Sequence, residues 1–164
     1  MFSAKADGEW TVSWLKGDLL FTMNRYGTRR KWKITSVPGV DSAILLCETY
    51  GMNGNKMIKL HRLEHFLKSG TAEEKAQYIR CGLIDIKEIN GKPVTGPYEW
   101  RMQEMAQLFK DEFIQPLPFR HVSSLADAED FWQRWVTERG FEGVVVRQNN
   151  EIWKVKPRSE LDAV

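Results

Sequence analysis

The sequence predicts an α+β domain built on antiparallel sheets with flanking helices. Segments with strand-like patterning outnumber those with helical patterning, and the helical segments fall between groups of strands. Short turns with glycine or asparagine separate several successive strands, as in antiparallel hairpins. With 164 residues the chain can bury one hydrophobic core, so residues 1–164 are assigned to a single domain.

The first third of the chain is predicted to be mostly strand. Residues 10–25 alternate apolar and polar positions around a turn at Lys16-Gly17-Asp18, which indicates a hairpin. The basic stretch RYGTRRKWK is turn-like at Tyr26-Gly27, and SVPGVD is a loop. The run SAILLCETYG, nearly continuously apolar up to Glu48, predicts a strand buried on both faces.

Helices are predicted over residues 60–70, which end at Gly70, and over a shorter stretch capped by Thr71 with Glu74 three residues later. Residues 82–94 predict a strand, an Asn90-Gly91 turn and a return. The remaining elements are a helix over 97–111 with a proline at its start, a proline-containing extended stretch over 113–123, a helix over 124–140, and two strands around Gln148-Asn149-Asn150.

Net charge, cysteine spacing and the length of apolar runs limit the kinds of protein that this sequence can encode. The net charge of +2 permits nucleic-acid contact without requiring it. Cys47 and Cys81 lie in apolar runs without a CxxC pair, which predicts buried free thiols and neither a zinc site nor a disulfide. No signal peptide and no apolar run near membrane-spanning length is present, so we expect an intracellular protein, cytoplasmic or nucleoid-associated. Four tryptophans are predicted to be core residues because they fall in apolar patterns: Trp14, Trp32, Trp132 and Trp135.

Charged residues inside apolar segments indicate function, because burying an unpaired charge is costly. Lys5 precedes a predicted strand, Glu48 ends an apolar run, and Glu142 stands ahead of three valines. Lys154 and Lys156 alternate with Val155 and therefore share one face of a strand. Lysine amines suit phosphate oxygens and carboxylates suit Mg²⁺, so this set favours phosphoryl chemistry.

Each of these residues also has an ordinary interpretation. KADG is compatible with a surface lysine beside a turn, Glu48 with a solvated strand residue, and WKVKP with an exposed edge strand on which lysines discourage aggregation. Their occurrence together and in this order favours the functional interpretation. A third lysine, Lys5, would then be an attacking amine, which must lose its proton first.

The segments KADG, NRYG, LLCETYG, EGVVVR and WKVKP occur in the order of the signature motifs of the covalent nucleotidyltransferases, which the chain resembles. This superfamily comprises ATP-dependent DNA ligases, RNA ligases and capping guanylyltransferases. The stretches LIDIKEINGKPVTGPYEWRMQEMAQLF and KPRSELDAV are similar to segments of the DNA ligases, which are the best match. The resemblance implies an ATP-grasp-like ligase adenylation domain, with a nucleotide cleft between antiparallel sheets.

The resemblance also implies roles at the start of the chain. Lys5 would be the nucleophile that takes AMP from ATP, in a loop shaped by Asp7 and Gly8. Arg25 would contact the ribose or the 5′-phosphate of a nick. The adenylate would then pass to the 5′-phosphate of nicked double-stranded DNA, and a 3′-hydroxyl would displace AMP.

Further along the chain, the resemblance implies that Glu48 binds the ribose hydroxyl or a metal-bound water, and that Glu142 assists in binding Mg²⁺ or Mn²⁺. Lys154 and Lys156 would hold the phosphate that is transferred. The predicted metal ligands are therefore Glu48 and Glu142. The physiological setting (replication, repair or recombination) is left open.

Ser3, Ala4 and Ile84 complete the predicted nucleotide-binding residues. Three positions depart from the family pattern: Ser3, Ile84 and Trp10. Ser3 stands next to Ala4 where many ligases have a glutamate near the adenine edge, and Ile84 replaces the aromatic residue that stacks on adenine. Trp10 occupies the place of an arginine. Because no OB-fold domain follows the last motif, we expect an isolated adenylation domain, monomeric, with weak self-adenylation.

A basic cluster, Arg29, Arg30, Lys31 and Lys33, follows Arg25 and is interpreted either as a solvated hairpin end or as a contact for DNA phosphates. Arg101 is expected to be structural. Two alternatives to a DNA ligase remain: an RNA ligase or capping-type nucleotidyltransferase, and a non-catalytic module that binds nucleotide or nicked DNA.

Overall fold

The computed structural model describes residues 1–158 as an α+β fold with two sheets. The strands are β1 Phe2–Lys5, β2 Glu9–Lys16, β3 Leu19–Asn24, β4 Arg29–Lys33, β5 Ser42–Asn53, β6 Lys56–Ile58, β7 Ile79–Ile89, β8 Lys92–Pro93, β9 Ile114–Pro116, β10 Phe119–Arg120, β11 Gly143–Gln148 and β12 Glu151–Val155. The helices are α1 Leu60–Ser69, α2 Ala72–Tyr78, α3 Tyr98–Leu108 and α4 Leu125–Trp132, and a π-helical segment, Gln133–Glu138, continues α4.

The smaller sheet has four strands in the order β10-β1-β11-β12, all antiparallel. The larger sheet has eight strands, with β4-β3-β2-β5-β7-β8 as its main path, β6 paired to β5, and β9 parallel to β7. The predicted α+β class with antiparallel sheets is therefore confirmed. Because β1 and β2 adjoin in the chain but belong to different sheets, the loop that joins them lies where the two sheets meet.

Three buried clusters hold these elements together. One lies under the larger sheet and includes Leu45 and Leu83 with Met102 of α3. A second joins the smaller sheet to α4 through Phe131 and Val144. The third packs α1 against the start of β7. Trp32, Trp132 and Trp135 pack against these clusters, as the apolar patterns predict.

The helix caps and the hairpin turn that the sequence predicts are confirmed. Thr71 accepts a hydrogen bond from the Glu74 backbone N–H at 3.1 Å, and the Glu74 carboxylate accepts one from the Thr71 N–H at 3.0 Å. Asn90 and Gly91 both have positive φ, 50° and 79°, as a tight hairpin turn requires. The helix and strand predictions over 97–157 are confirmed as well, with Ser124 as the N-cap of α4.

Three sequence-based predictions are wrong in part. The basic stretch contains a strand, β4, which pairs with β3 along its whole length. Strand β5 is buried on one face only, because buried and half-buried residues alternate from Ser42 to Glu48. Trp14 is not a core residue: it lies on the solvent side of the larger sheet and is 39% exposed. Alternation along β2 decides this, since Ser13 and Leu15 occupy the buried side.

The buried carboxylate of Asp85, on β7, links this strand to α3 by hydrogen bonds. It accepts hydrogen bonds from Arg101 Nε at 2.9 Å and Nη2 at 3.2 Å, and from Lys87 at 2.9 Å. Burial alone would raise the pKa of Asp85, but these hydrogen bonds outweigh burial and hold the pKa below its ordinary value. Arg101 is therefore structural, as expected.

Within residues 1–158, no helix is long and apolar enough to cross a membrane. Most of the segment KPRSELDAV, residues 159–164, lies outside the described residues.

Candidate functional site

A cavity of about 640 Å³ lies between the two sheets. Strands β1, β11 and β12 line one side, and β2, β5 and β7 line the other, with α1 and α3 contributing at the ends. Eight of the predicted site residues line it: Ser3, Ala4, Lys5, Gly8, Arg25, Glu48, Ile84 and Lys154. Residues from distant parts of the sequence thus converge on one cleft.

Lys5, which lines the cavity, forms a charged cluster with Glu142 and Lys156, which do not line it. Lys5 Nζ lies 2.5 Å from Glu142 Oε2, and Lys156 Nζ lies 2.5 Å from Glu142 Oε1. The side chains of Lys5 and Glu142 are 21% and 27% exposed, so Lys5 is not a freely solvated surface lysine. The backbone adds a further link, since the Glu142 N–H donates to the Lys5 carbonyl at 2.8 Å.

Glu142 is held as a carboxylate by its two lysines. Burial would raise its pKa, but hydrogen bonds from Lys156 and Lys5 outweigh burial and keep the pKa below its ordinary value. The same contact raises the pKa of Lys156. Lys5 thus shares Glu142 with a second lysine, and a lysine amine must be unprotonated to attack as a nucleophile.

Glu48 lies across the cavity on β5, directly opposite Trp10 of β2. Burial raises its pKa from 4.5 to about 7, and the nearby carboxylates of Glu142 and Asp7 act in the same direction. The positive charge of Lys5 and a hydrogen bond with the Gly8 backbone oppose the increase without cancelling it. Glu48 is therefore a carboxyl group whose charge changes near neutral pH.

We expect Glu48→Gln to make the free energy of unfolding less dependent on pH. An acid with a raised folded-state pKa binds its proton more tightly when folded, so ionisation of Glu48 lowers stability as pH rises from 4.5 to about 7. At pH 8 the variant should exceed the wild type by up to about 3 kcal/mol, with the difference vanishing below pH 4.5. Urea unfolding across this pH range measures it, with the exposed Glu129→Gln as control. Parallel pH profiles for wild type and Glu48→Gln would contradict the assignment.

The loop after Lys5 is held tightly. Asp7 turns away from the cavity: its carboxylate accepts a hydrogen bond from the Leu60 N–H at 3.1 Å, at the start of α1. A side chain at Gly8 would meet the Thr49 carbonyl oxygen at 2.2 Å, so glycine is required here for close approach to β5. These two contacts restrain the loop that follows Lys5.

The far end of the cavity contains Arg147 and Tyr98, which sequence reasoning missed. The Arg147 guanidinium lies 4.2 Å from the centre of the Tyr98 ring and donates to Ser3 Oγ at 3.0 Å. The Tyr98 hydroxyl donates to the Ile84 carbonyl. Arg147 follows three valines as Glu142 precedes them, so the charge after an apolar strand was the available signal.

Strand β12 brings Lys154 to the cavity, and Ile152 on the same face also lines it. Strand β12 ends at Val155, so Lys156 lies one residue beyond the strand; its side chain reaches Glu142 and does not line the cavity. Lys5, Arg147 and Lys154 thus contribute cations to one cleft.

The basic cluster divides between two faces of β4. Arg30 turns inward and forms an ion pair with Glu9 at 2.5 Å, whereas Arg29, Lys31 and Lys33 are exposed. Arg25 lies at the rim of the cavity, stacked on Tyr26 at 4.9 Å. The predicted DNA contacts Arg29, Arg30 and Lys31 therefore do not share a surface, because the period-two alternation of a strand separates them.

Magnesium commonly takes one or two protein carboxylates together with substrate phosphates. Glu48 and Glu142 are nearby carboxyl groups at this site, and both Glu142 oxygens are engaged by Lys5 and Lys156. No cluster of three or more potential metal ligands occurs among residues 1–158.

Sequence comparison does not assign the chain to a protein family. No family model matches the chain, and no curated protein sequence matches it.

Proposed function

We propose that this chain is the adenylation domain of an ATP-dependent DNA ligase of the covalent nucleotidyltransferase type. The observation that carries the proposal is the cluster of Lys5, Glu142 and Lys156 beside a cavity between two sheets. An enclosed amine beside further cations suits a nucleotide phosphate, and it becomes a nucleophile for phosphorus once it leaves the carboxylate and loses its proton.

In the first step, the neutral Lys5 amine attacks the α-phosphorus of ATP. A P–N bond forms, the bond from the α-phosphorus to the bridging oxygen breaks, and pyrophosphate leaves with the bond electrons. The two protons that the amine loses between its ammonium form and the phosphoramidate pass to solvent. Lys154 and Lys156 hold the negative charge that develops on the phosphoryl oxygens.

The adenosine part of ATP would occupy the end of the cavity near Ser3, Ile84 and Tyr98. This region is lined mainly by apolar side chains, which suits a purine ring: Ala4, Leu83, Ile84, Met102, Leu117 and Val145. The Arg147 guanidinium, placed between Ser3 and Tyr98, supplies a polar anchor. Glu48 would accept a hydrogen bond from a ribose hydroxyl.

In the following steps, an oxygen of a 5′-phosphate on a nicked strand attacks the phosphorus of the adenylate, and the P–N bond breaks to regenerate Lys5. A 3′-hydroxyl then attacks the activated 5′-phosphate and AMP leaves, so a phosphodiester bond forms. A divalent metal, when held by Glu48 and Glu142, supplies positive charge that neutralises phosphate oxygens.

Incubation with labelled ATP and Mg²⁺ tests the proposal. We expect a covalent product whose mass exceeds that of the chain by one AMP moiety, formed from ATP and not from GTP. Binding of ATP without any covalent product, even with a separate OB-fold domain added, would instead support a nucleotide-binding module. Labelling by GTP would support a capping-type enzyme, and sealing of nicked RNA in preference to nicked DNA would support an RNA ligase.

A further inference from the structure

One face of the larger sheet carries apolar side chains that belong to none of the three buried clusters formed by residues 1–158. We call it the aromatic face, and its members are Val12, Trp14, Phe21, Met23, Ile44 and Leu46. Trp14 and Phe21 lie directly opposite each other on β2 and β3 and are 39% and 36% exposed. Aromatic side chains left together on a solvent face usually mark a binding surface.

A row of cations borders this face. On the edge strand β4, Arg29 is opposite Met23, Lys31 is opposite Phe21, and Lys33 is opposite Leu19. We call these three residues the basic edge. Lys33 lies 3.5 Å from Asp18, whereas Arg29 and Lys31 form no salt bridge within the described part of the chain. Trp14, Phe21 and Lys31 therefore stand in one line across three strands, over about 10 Å.

Lysines on an edge strand also discourage aggregation, which is the ordinary explanation for the basic edge. That explanation does not account for the neighbouring aromatic side chains, because exposed aromatics on a sheet increase the tendency to aggregate. A ligand that carries both flat apolar groups and negative charges accounts for both the aromatic face and the basic edge.

We infer that the aromatic face and the basic edge bind a single-stranded segment of nucleic acid. Unpaired bases expose their flat surfaces and can stack on Trp14 and Phe21, while the phosphates between them contact Lys31 and Arg29. A duplex offers the same phosphates, but its bases are stacked on each other and unavailable to these rings. DNA and RNA strands share this chemistry.

The face is continuous with the cavity. Trp10 and Trp14 lie on the same side of β2, about 13 Å apart, and Trp10 lines the cavity beside Lys5. A strand on the aromatic face could thus lead its end toward Lys5, a connection that rests on the proposed function. The binding itself does not depend on that function, because it requires no ATP.

Fluorescence anisotropy with a labelled oligonucleotide of about 12 residues, without ATP, tests the inference. We expect a single strand to bind more tightly than a duplex of the same length, and Trp14→Ala or Phe21→Ala to weaken single-strand binding by about tenfold. Trp14→Phe should retain most of the affinity and Trp14→Leu should lose it, because only the former keeps a ring for stacking. Oligo(dT) and oligo(U) arms distinguish DNA from RNA.

The matched control is Trp100→Ala, which removes an exposed tryptophan (47%) from α3. Lys31→Ala should lower affinity and reduce the salt dependence by about one phosphate contact, whereas Lys68→Ala on α1 should not. Equal binding of duplex and single strand, or equal effects of Trp14→Ala and Trp100→Ala, would overturn the inference. So would a dimer in sedimentation that Trp14→Ala dissociates, because a second copy would then cover the face.

Measuring formation of lysyl-AMP in parallel distinguishes failure of this inference from failure of the proposed function. A chain that forms the adduct but does not bind single strands would overturn only the inference about the aromatic face. A chain that binds single strands without forming the adduct would overturn only the proposed nucleotidyl transfer.

Discussion

Lys5→Ala is expected to abolish covalent labelling by ATP, lowering it by at least about three orders of magnitude, because the variant has no nucleophile. Lys5→Arg should be equally inactive. An arginine can keep the ion pair with Glu142, but it stays protonated and cannot attack phosphorus. The two variants together separate the loss of a positive charge from the loss of a nucleophile.

Lys68→Ala is the matched control, because it removes an exposed lysine from α1 and leaves the cavity unchanged. The measurement is the initial rate of adduct formation by intact mass, with circular dichroism to verify folding. A label that persists in Lys5→Ala would place the nucleophile elsewhere, and peptide mapping would then examine Lys154 and Lys156.

Glu142→Ala is expected to have the second-largest effect, lowering the rate of adduct formation by about 100-fold. The substitution removes the only carboxylate that contacts both Lys5 and Lys156 among the described residues. Two ammonium groups would then face each other without a counterion, and an oxygen ligand for a metal would be lost. We also expect the free energy of unfolding to fall by about 1 kcal/mol, since the pair is partly exposed.

Glu142→Gln distinguishes these contributions, because it retains the shape of the side chain and one acceptor oxygen but loses the charge and the second acceptor. Glu151→Ala, on β12, serves as the control for a lost carboxylate, because Glu151 forms no salt bridge with any of residues 1–158. Rates are measured over a range of Mg²⁺ concentrations. If adduct formation became faster in Glu142→Ala, Glu142 would act only as a restraint on Lys5, and its role in the reaction would be refuted.

Local chemistry made much of the fold predictable. The Asn90-Gly91 turn, the Thr71 and Glu74 cap and the Ser124 cap depend on residues close in sequence, so short-range rules were sufficient. Strand β4 was missed because its lysines and arginines are poor strand formers. It is a strand because the whole segment pairs with β3, which no local pattern reports.

The sequence predicted which charged residues belong to the candidate site, but it did not predict how they are arranged in space. Lys5, Glu48, Glu142, Lys154 and Lys156 were recognisable because charges in apolar segments need a partner. Which charge pairs with which was not recognisable. Glu142 lies between two lysines, while Glu48 has a raised pKa and forms no ion pair with any of residues 1–158.

Residue order and alternation alone determined the α+β class, the main turns and the residues that carry charge into the interior, because these follow from covalent neighbours and strand periodicity. Tertiary structure alone decided that Arg147 meets Tyr98, that Arg30 pairs inward with Glu9, and that Trp14 faces solvent beside Lys31. Each of these depends on strand pairing and register between segments distant in sequence. Contacts of that kind are set by packing of the whole chain, which no single segment encodes.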